Sequence, residues 1–61
     1  DAAARHCFEE ALALLTAVGD DFERARTLRT YARFARRRGD RALEDALEAR
    51  AAALEPEQYR S

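Results

Sequence analysis

The chain has 61 residues and a formal net charge of −1, and 48% of its residues are hydrophobic. So short a chain forms one small domain, which buries only about 60% of the surface that its unfolded chain exposes. A single cysteine and a single histidine exclude a disulfide framework and the usual zinc sites. We therefore expect one module over residues 1–61, with no cofactor and no metal.

Hydropathy and cysteine usage point to a protein that is not inserted in a membrane. No apolar run in the sequence is long enough for a transmembrane helix, and there is no signal-peptide pattern. A lone cysteine fits a reducing compartment. We therefore predict a cytoplasmic protein.

The first predicted helix covers residues 2–18 and has an unusually wide apolar arc. The arc comprises Ala4, Cys7, Phe8, Ala11, Leu12, Leu14, Leu15 and Val18. One partner helix does not cover an arc of this width. We therefore predict self-association, or docking onto an adjacent repeat, through Leu12, Leu15 or their neighbours. Because Cys7 lies in the arc, we expect its thiol to be buried and unreactive.

The second predicted helix covers residues 21–38 and has two opposite faces at the helical period of about 100° per residue. Its apolar face consists of Ala25, Leu28, Tyr31, Ala32 and Ala35. Its opposite face, here called the arginine face, consists of Arg26, Arg29, Arg33, Arg36 and Arg37. This helix is predicted to be the centre of the fold, with the other segments covering its apolar side.

The third predicted helix covers residues 41–55, and Pro56 begins a tail over residues 56–61. Its predicted apolar arc contains Ala42, Leu43, Ala46, Leu47, Ala53 and Leu54. Arg50 falls in the middle of this arc. Two interpretations remain open for Arg50: a packed stem with its charge in water, or an ion pair at an interface.

Two Gly-Asp pairs, Gly19-Asp20 and Gly39-Asp40, separate the three helices and lie twenty residues apart. Glycine is favoured just after a helix because it adopts the left-handed conformation at low cost. Aspartate is favoured as the N-cap of the next helix. No alternating or β-branched run predicts a strand. The fold class is therefore predicted to be all-α, with three antiparallel helices.

The spacing of several residues resembles one unit of the tetratricopeptide repeat family, in its longer variants from bacterial signalling proteins. The matching residues are Leu28, Ala32, Gly39, Asp40, Ala51, Leu54 and Pro56, in a unit that starts near Ala25. The resemblance implies a fragment of an α-solenoid whose role is protein binding. It also implies that the arginine face lines a groove. Glu44 and Glu48 stand where the family has a small and an aromatic residue, so either the third helix is rotated or this is a terminal unit.

Three interpretations of the arginine face remain open. The first is a solvated face whose arginines pair with acidic side chains of a neighbouring helix. The second is a groove that binds an acidic peptide or a carboxylate. The third is a site that binds the phosphate backbone of a nucleic acid. The slightly negative net charge disfavours nucleic acid. The sequence contains no catalytic constellation, so we predict a non-catalytic protein–protein interaction module. The alternatives are a small self-associating bundle and a weak nucleic-acid binder.

Overall fold

A computed structural model of the chain describes residues 2–54, which form three α-helices. The helices are α1 (Ala2–Val18), α2 (Asp21–Arg37) and α3 (Arg41–Leu54). No strand occurs in this part of the chain. The predicted all-α, three-helix fold is confirmed. Glu55, the predicted last residue of α3, and the predicted tail over residues 56–61 lie outside the described residues.

The two Gly-Asp turns have the same geometry. Gly19 and Gly39 adopt φ angles of 75° and 78°. In the first turn, Gly19 N–H donates to Thr16 O at 3.2 Å and Asp20 N–H donates to Leu15 O at 3.0 Å. These bonds form a Schellman motif, in which the glycine's left-handed backbone satisfies the last carbonyls of the helix.

The second turn repeats this pattern, and α2 ends one residue earlier than predicted. Gly39 N–H donates to Arg36 O at 3.0 Å, and Asp40 N–H donates to Ala35 O at 2.9 Å. Arg38 is therefore the C-cap, and α2 ends at Arg37 rather than at Arg38. The chain reverses at Gly39 because only glycine takes the positive φ without strain.

Each aspartate of the turns also starts the following helix. The Asp20 carboxylate accepts from Glu23 N–H at 3.0 Å, and the Asp40 carboxylate accepts from Leu43 N–H at 3.1 Å. Both are N-caps, as predicted. One residue thus closes one helix with its N–H and opens the next with its side chain, which keeps the connections short and the successive helices antiparallel.

The helix α2 lies at the centre and packs against both neighbours. The Cα atoms of α1 and α3 do not come within 8 Å of each other. The Cα extents are 34 × 26 × 12 Å, so the array is much thinner than it is long or wide. The three helices therefore form a flat array in which each outer helix has one neighbour.

The core lies on the apolar face of α2. All five predicted residues of that face are buried, at 7% exposure or less. They are joined by Leu12 from α1 and by Leu47 and Ala51 from α3. The Phe8 ring stacks on Tyr31 with 4.7 Å between ring centroids, which ties α1 to α2. Much of this core is alanine, so it rests on few large side chains.

Two expectations about α1 are corrected because α1 has only one neighbour within residues 2–54. Leu12 is 4% exposed and belongs to the core, so it is not a surface for self-association, whereas Leu15 is half-buried. Cys7 is exposed rather than buried. A helix with one partner buries one stripe, here centred on Leu12. The rest of the wide arc stays at the surface.

The predicted face of α3 is also corrected. Leu47 and Ala51 are buried, whereas Ala42, Ala46 and Ala53 are exposed. The buried face of α3 is therefore rotated about the helix axis relative to the predicted arc, toward Glu44 and Glu48, which are half-buried. Arg50 is exposed, so it does not lie in the middle of a packed face.

Candidate protein-binding surfaces

The arginine face lies on the side of α2 that points away from the core. Arg26, Arg33, Arg36 and Arg37 are exposed, whereas Arg29 is half-buried. The residues recur at three- and four-residue spacings, which places them on one face of the helix. The structure therefore places the five predicted residues on one face, but Arg29 differs from the other four in its burial.

Arg29 connects α2 to α3. Its guanidinium donates to the Glu48 carboxylate at 3.1 Å, and the side chains are 41% and 45% exposed. Glu48 lies outside the apolar arc that the sequence predicts for α3. The rotation of α3 brings it to the edge of the helix contact instead. For Arg29, pairing with an acidic side chain of the neighbouring helix is thus the interpretation that the geometry supports.

The other arginines of the face differ in their partners. Arg26 donates to the Glu23 carboxylate at 3.2 Å in an exposed pair one turn apart. Arg33, Arg36 and Arg37 make no ion pair with any residue in 2–54. Three charged guanidinium groups with free donors therefore remain on this face.

A second surface, which the sequence analysis did not identify, is a hollow of about 490 Å³ between α1 and α2. Its walls include Cys7, Phe8 and Ala11 from α1 and Arg26, Thr27 and Thr30 from α2. The Thr30 hydroxyl donates to Arg26 O at 3.1 Å, so that hydroxyl is satisfied within its own helix. The hollow is a shallow, mainly apolar channel beside the arginine face, with Arg26 common to both.

The channel continues into a line of apolar residues along α1, here called the outer seam. The outer seam comprises Cys7, Ala11, Leu14 and Val18. Their spacing of four, three and four residues was present in the sequence, inside the wide arc. Dividing that arc into a stripe around Leu12 and this second stripe would have identified the seam.

The Tyr31 hydroxyl is the unusual polar group of the core. Tyr31 is fully buried, and no group in residues 2–54 completes a hydrogen bond to its hydroxyl with acceptable geometry. Arg5 is the polar side chain that interacts with it. This contact is the main cause that raises the pKa of the Arg5 guanidinium, and the Asp40 and Glu9 carboxylates add smaller effects. A buried hydroxyl in this state destabilises the fold.

No group of His, Cys, Asp and Glu side chains in residues 2–54 is arranged to hold a metal ion. His6 pairs with Glu10 at 3.4 Å on the exposed side of α1, as their four-residue spacing predicted. None of the three described helices is both long and apolar enough to cross a bilayer.

Comparisons with protein-family models, with curated proteins and with solved structures each gave no match. The resemblance to tetratricopeptide repeats therefore stays a prediction from the sequence. The interpretation of the surfaces rests on their own geometry.

Proposed function

We propose that the chain is a non-catalytic protein-interaction module of the cytoplasm and that the arginine face binds an acidic peptide segment. The observation that carries the proposal is the set of exposed guanidinium groups of Arg33, Arg36 and Arg37, which make no ion pair with any residue in 2–54. The resemblance to tetratricopeptide repeats supports the same function.

The chemistry of arginine favours carboxylates as the ligand. A guanidinium presents planar N–H donors that match the two oxygens of a carboxylate. Arg33 and Arg37 are four residues apart, and Arg36 lies between them on the same face. An extended peptide with alternate Asp or Glu residues offers repeated carboxylates to such a row. A screened, exposed pair contributes at most about 1 kcal/mol, so binding depends on several pairs acting together.

Binding to a fluorescent peptide of alternating Glu and Gly residues, measured by anisotropy, tests the proposal. We expect Arg33→Glu to weaken binding about tenfold, since it replaces an attraction with a repulsion. Arg50→Glu is the matched control, because Arg50 is an exposed arginine on α3. Arg29 is not a suitable site for this test because its substitution breaks the contact with Glu48.

Added salt should weaken binding to the native chain, because exposed charges are screened beyond about 8 Å at physiological ionic strength. Equal losses for the Arg33 and Arg50 variants would show that only net charge matters and would refute a site on the arginine face. Tighter binding of a generic single-stranded oligonucleotide than of the peptide would instead favour a phosphate ligand.

A further inference from the structure

The outer seam of α1 has the composition of a helix-packing surface but lacks a helix packed on it within the described chain. All its residues are apolar, and Leu14 and Val18 are 69% and 74% exposed. The spacing of four, three and four residues is that of the a and d positions of a coiled coil. A charged or polar residue at any seam position would be expected on a solvated face, and none is present.

Side-chain size changes along the seam from one end of α1 to the other. The first half, Cys7 and Ala11, is small and borders the channel between α1 and α2. The second half, Leu14 and Val18, is large and projects from the surface. The surface thus has a hollow at one end and a ridge at the other.

We propose that this surface binds a second copy of the chain, with the two α1 helices antiparallel. A two-fold axis across the middle of the seam brings the same patch of both chains together. The ridge of Leu14 and Val18 from each chain then fills the hollow beside Cys7 and Ala11 of the other. A parallel pairing would place ridge against ridge and leave both hollows unfilled.

The area of the surface is sufficient for such a dimer. The helix α1 has 17 residues, so it is about 25 Å long and about 10 Å wide. One strip of these dimensions is roughly 250 Å². A helix that touches both the seam and the α2 wall of the channel covers two such strips, so at most roughly 500 Å² on each chain, or roughly 1,000 Å² in total. That total reaches the lower bound for a specific interface. The proposed dimer is therefore a reversible one, formed at micromolar concentrations.

Sedimentation equilibrium on the complete chain, from about 5 to about 200 µM, tests the proposal by mass action. We expect a dimer that dissociates on dilution. Leu14→Glu combined with Val18→Glu should raise the dissociation constant by about 100-fold or more, since both changes place charge in the centre of the interface. Ala13→Glu combined with Ala17→Glu is the matched control, with the same helix, spacing and added charge at exposed positions outside the seam.

Oxidative crosslinking tests the orientation and does not depend on the glutamate variants. A disulfide requires Cα atoms within about 7 Å. In the antiparallel dimer the two Cys7 residues are roughly 16 Å apart along the helices, so the native chain should stay uncrosslinked. In Val18→Cys, the new thiol of each chain lies opposite Cys7 of the other, and we expect covalent dimers. Ala13→Cys should give none.

A native chain that remains a monomer at about 200 µM would overturn the proposal, and the seam would then be a surface for a helix of different sequence. Rapid crosslinking of native Cys7 to its counterpart would overturn the antiparallel arrangement. Equal weakening of the dimer by the Leu14/Val18 and Ala13/Ala17 pairs would show that the seam is not the interface. The interface shares Arg26 with the arginine face but does not include Arg33, Arg36 or Arg37, so peptide binding to those three residues can fail without affecting these results.

Discussion

At the residue scale, Tyr31 combines a stabilising ring with a destabilising hydroxyl. Its ring stacks on Phe8 and lies 6.5 Å from the Phe34 ring, in the most buried part of the core. Its hydroxyl is buried without a completed hydrogen bond among residues 2–54. A tyrosine can thus be retained for its ring although its hydroxyl destabilises the fold.

Replacing Tyr31 by phenylalanine keeps the ring and removes the unsatisfied hydroxyl. We expect the free energy of unfolding, measured by urea denaturation, to rise by about 1 kcal/mol, because the desolvation cost of the hydroxyl is removed. Arg5→Gln tests whether the contact with Arg5 compensates that cost. A fall of 1 kcal/mol or more in Tyr31→Phe, absent from the Arg5→Gln background, would show that the contact stabilises the fold.

At the element scale, the two Gly-Asp turns determine where helices end and how short the connections are. Each joins a Schellman closure to an N-cap with only two residues, a glycine at positive φ and an aspartate. All the bonds involved are local in sequence. The turns therefore reverse the chain by local interactions, whereas the packing of the helices against each other depends on the core.

Substitution of Gly39 distinguishes the contribution of backbone conformation to stability from the contribution of side-chain packing. A Cβ atom at Gly39 would meet no atom within 4 Å, so the cost arises from the positive φ alone. We expect Gly39→Ala to lower the free energy of unfolding by about 1–2 kcal/mol. Gly39→Asn should lower it less, because asparagine tolerates the left-handed conformation. Equal losses in both variants would contradict a purely conformational role.

At the scale of the whole molecule, the flat array leaves each outer helix with an uncovered side. Among the helices of residues 2–54, only α2 has neighbours on two sides. The core contains few large side chains, namely Tyr31, Leu28 and Leu47 at the most buried positions. A domain of this size has little stability to spare. Contact with another chain along α1 is a direct way to stabilise it.

Thermal unfolding at several protein concentrations tests this link between assembly and stability. If unfolding is coupled to dissociation, a tenfold increase in concentration should raise Tm by about 3–5 °C. The variant with Leu14→Glu and Val18→Glu should have a Tm that does not depend on concentration. A constant Tm for the native chain, measured by circular dichroism, would indicate that the monomer carries the stability by itself.

The sequence by itself determined the local features of this protein. The helix bounds are correct to within a residue wherever they can be compared, and both glycine turns and both aspartate caps are as predicted, because backbone preference and capping act over a few neighbouring residues. The buried face of α2 was also predictable. A helix with partners on two sides buries its whole apolar stripe, so periodicity alone identifies that stripe.

Only the tertiary structure decided which face of each outer helix is buried. The arc of α1 contains two stripes, and the position of α2 buries the one around Leu12 while the outer seam stays exposed. Likewise, Glu48 meets Arg29 because α3 is rotated about its axis, which the composition of α3 does not specify. The physical reason is that burial and ion pairing depend on the relative placement of two elements, and that placement depends on contacts distant in sequence.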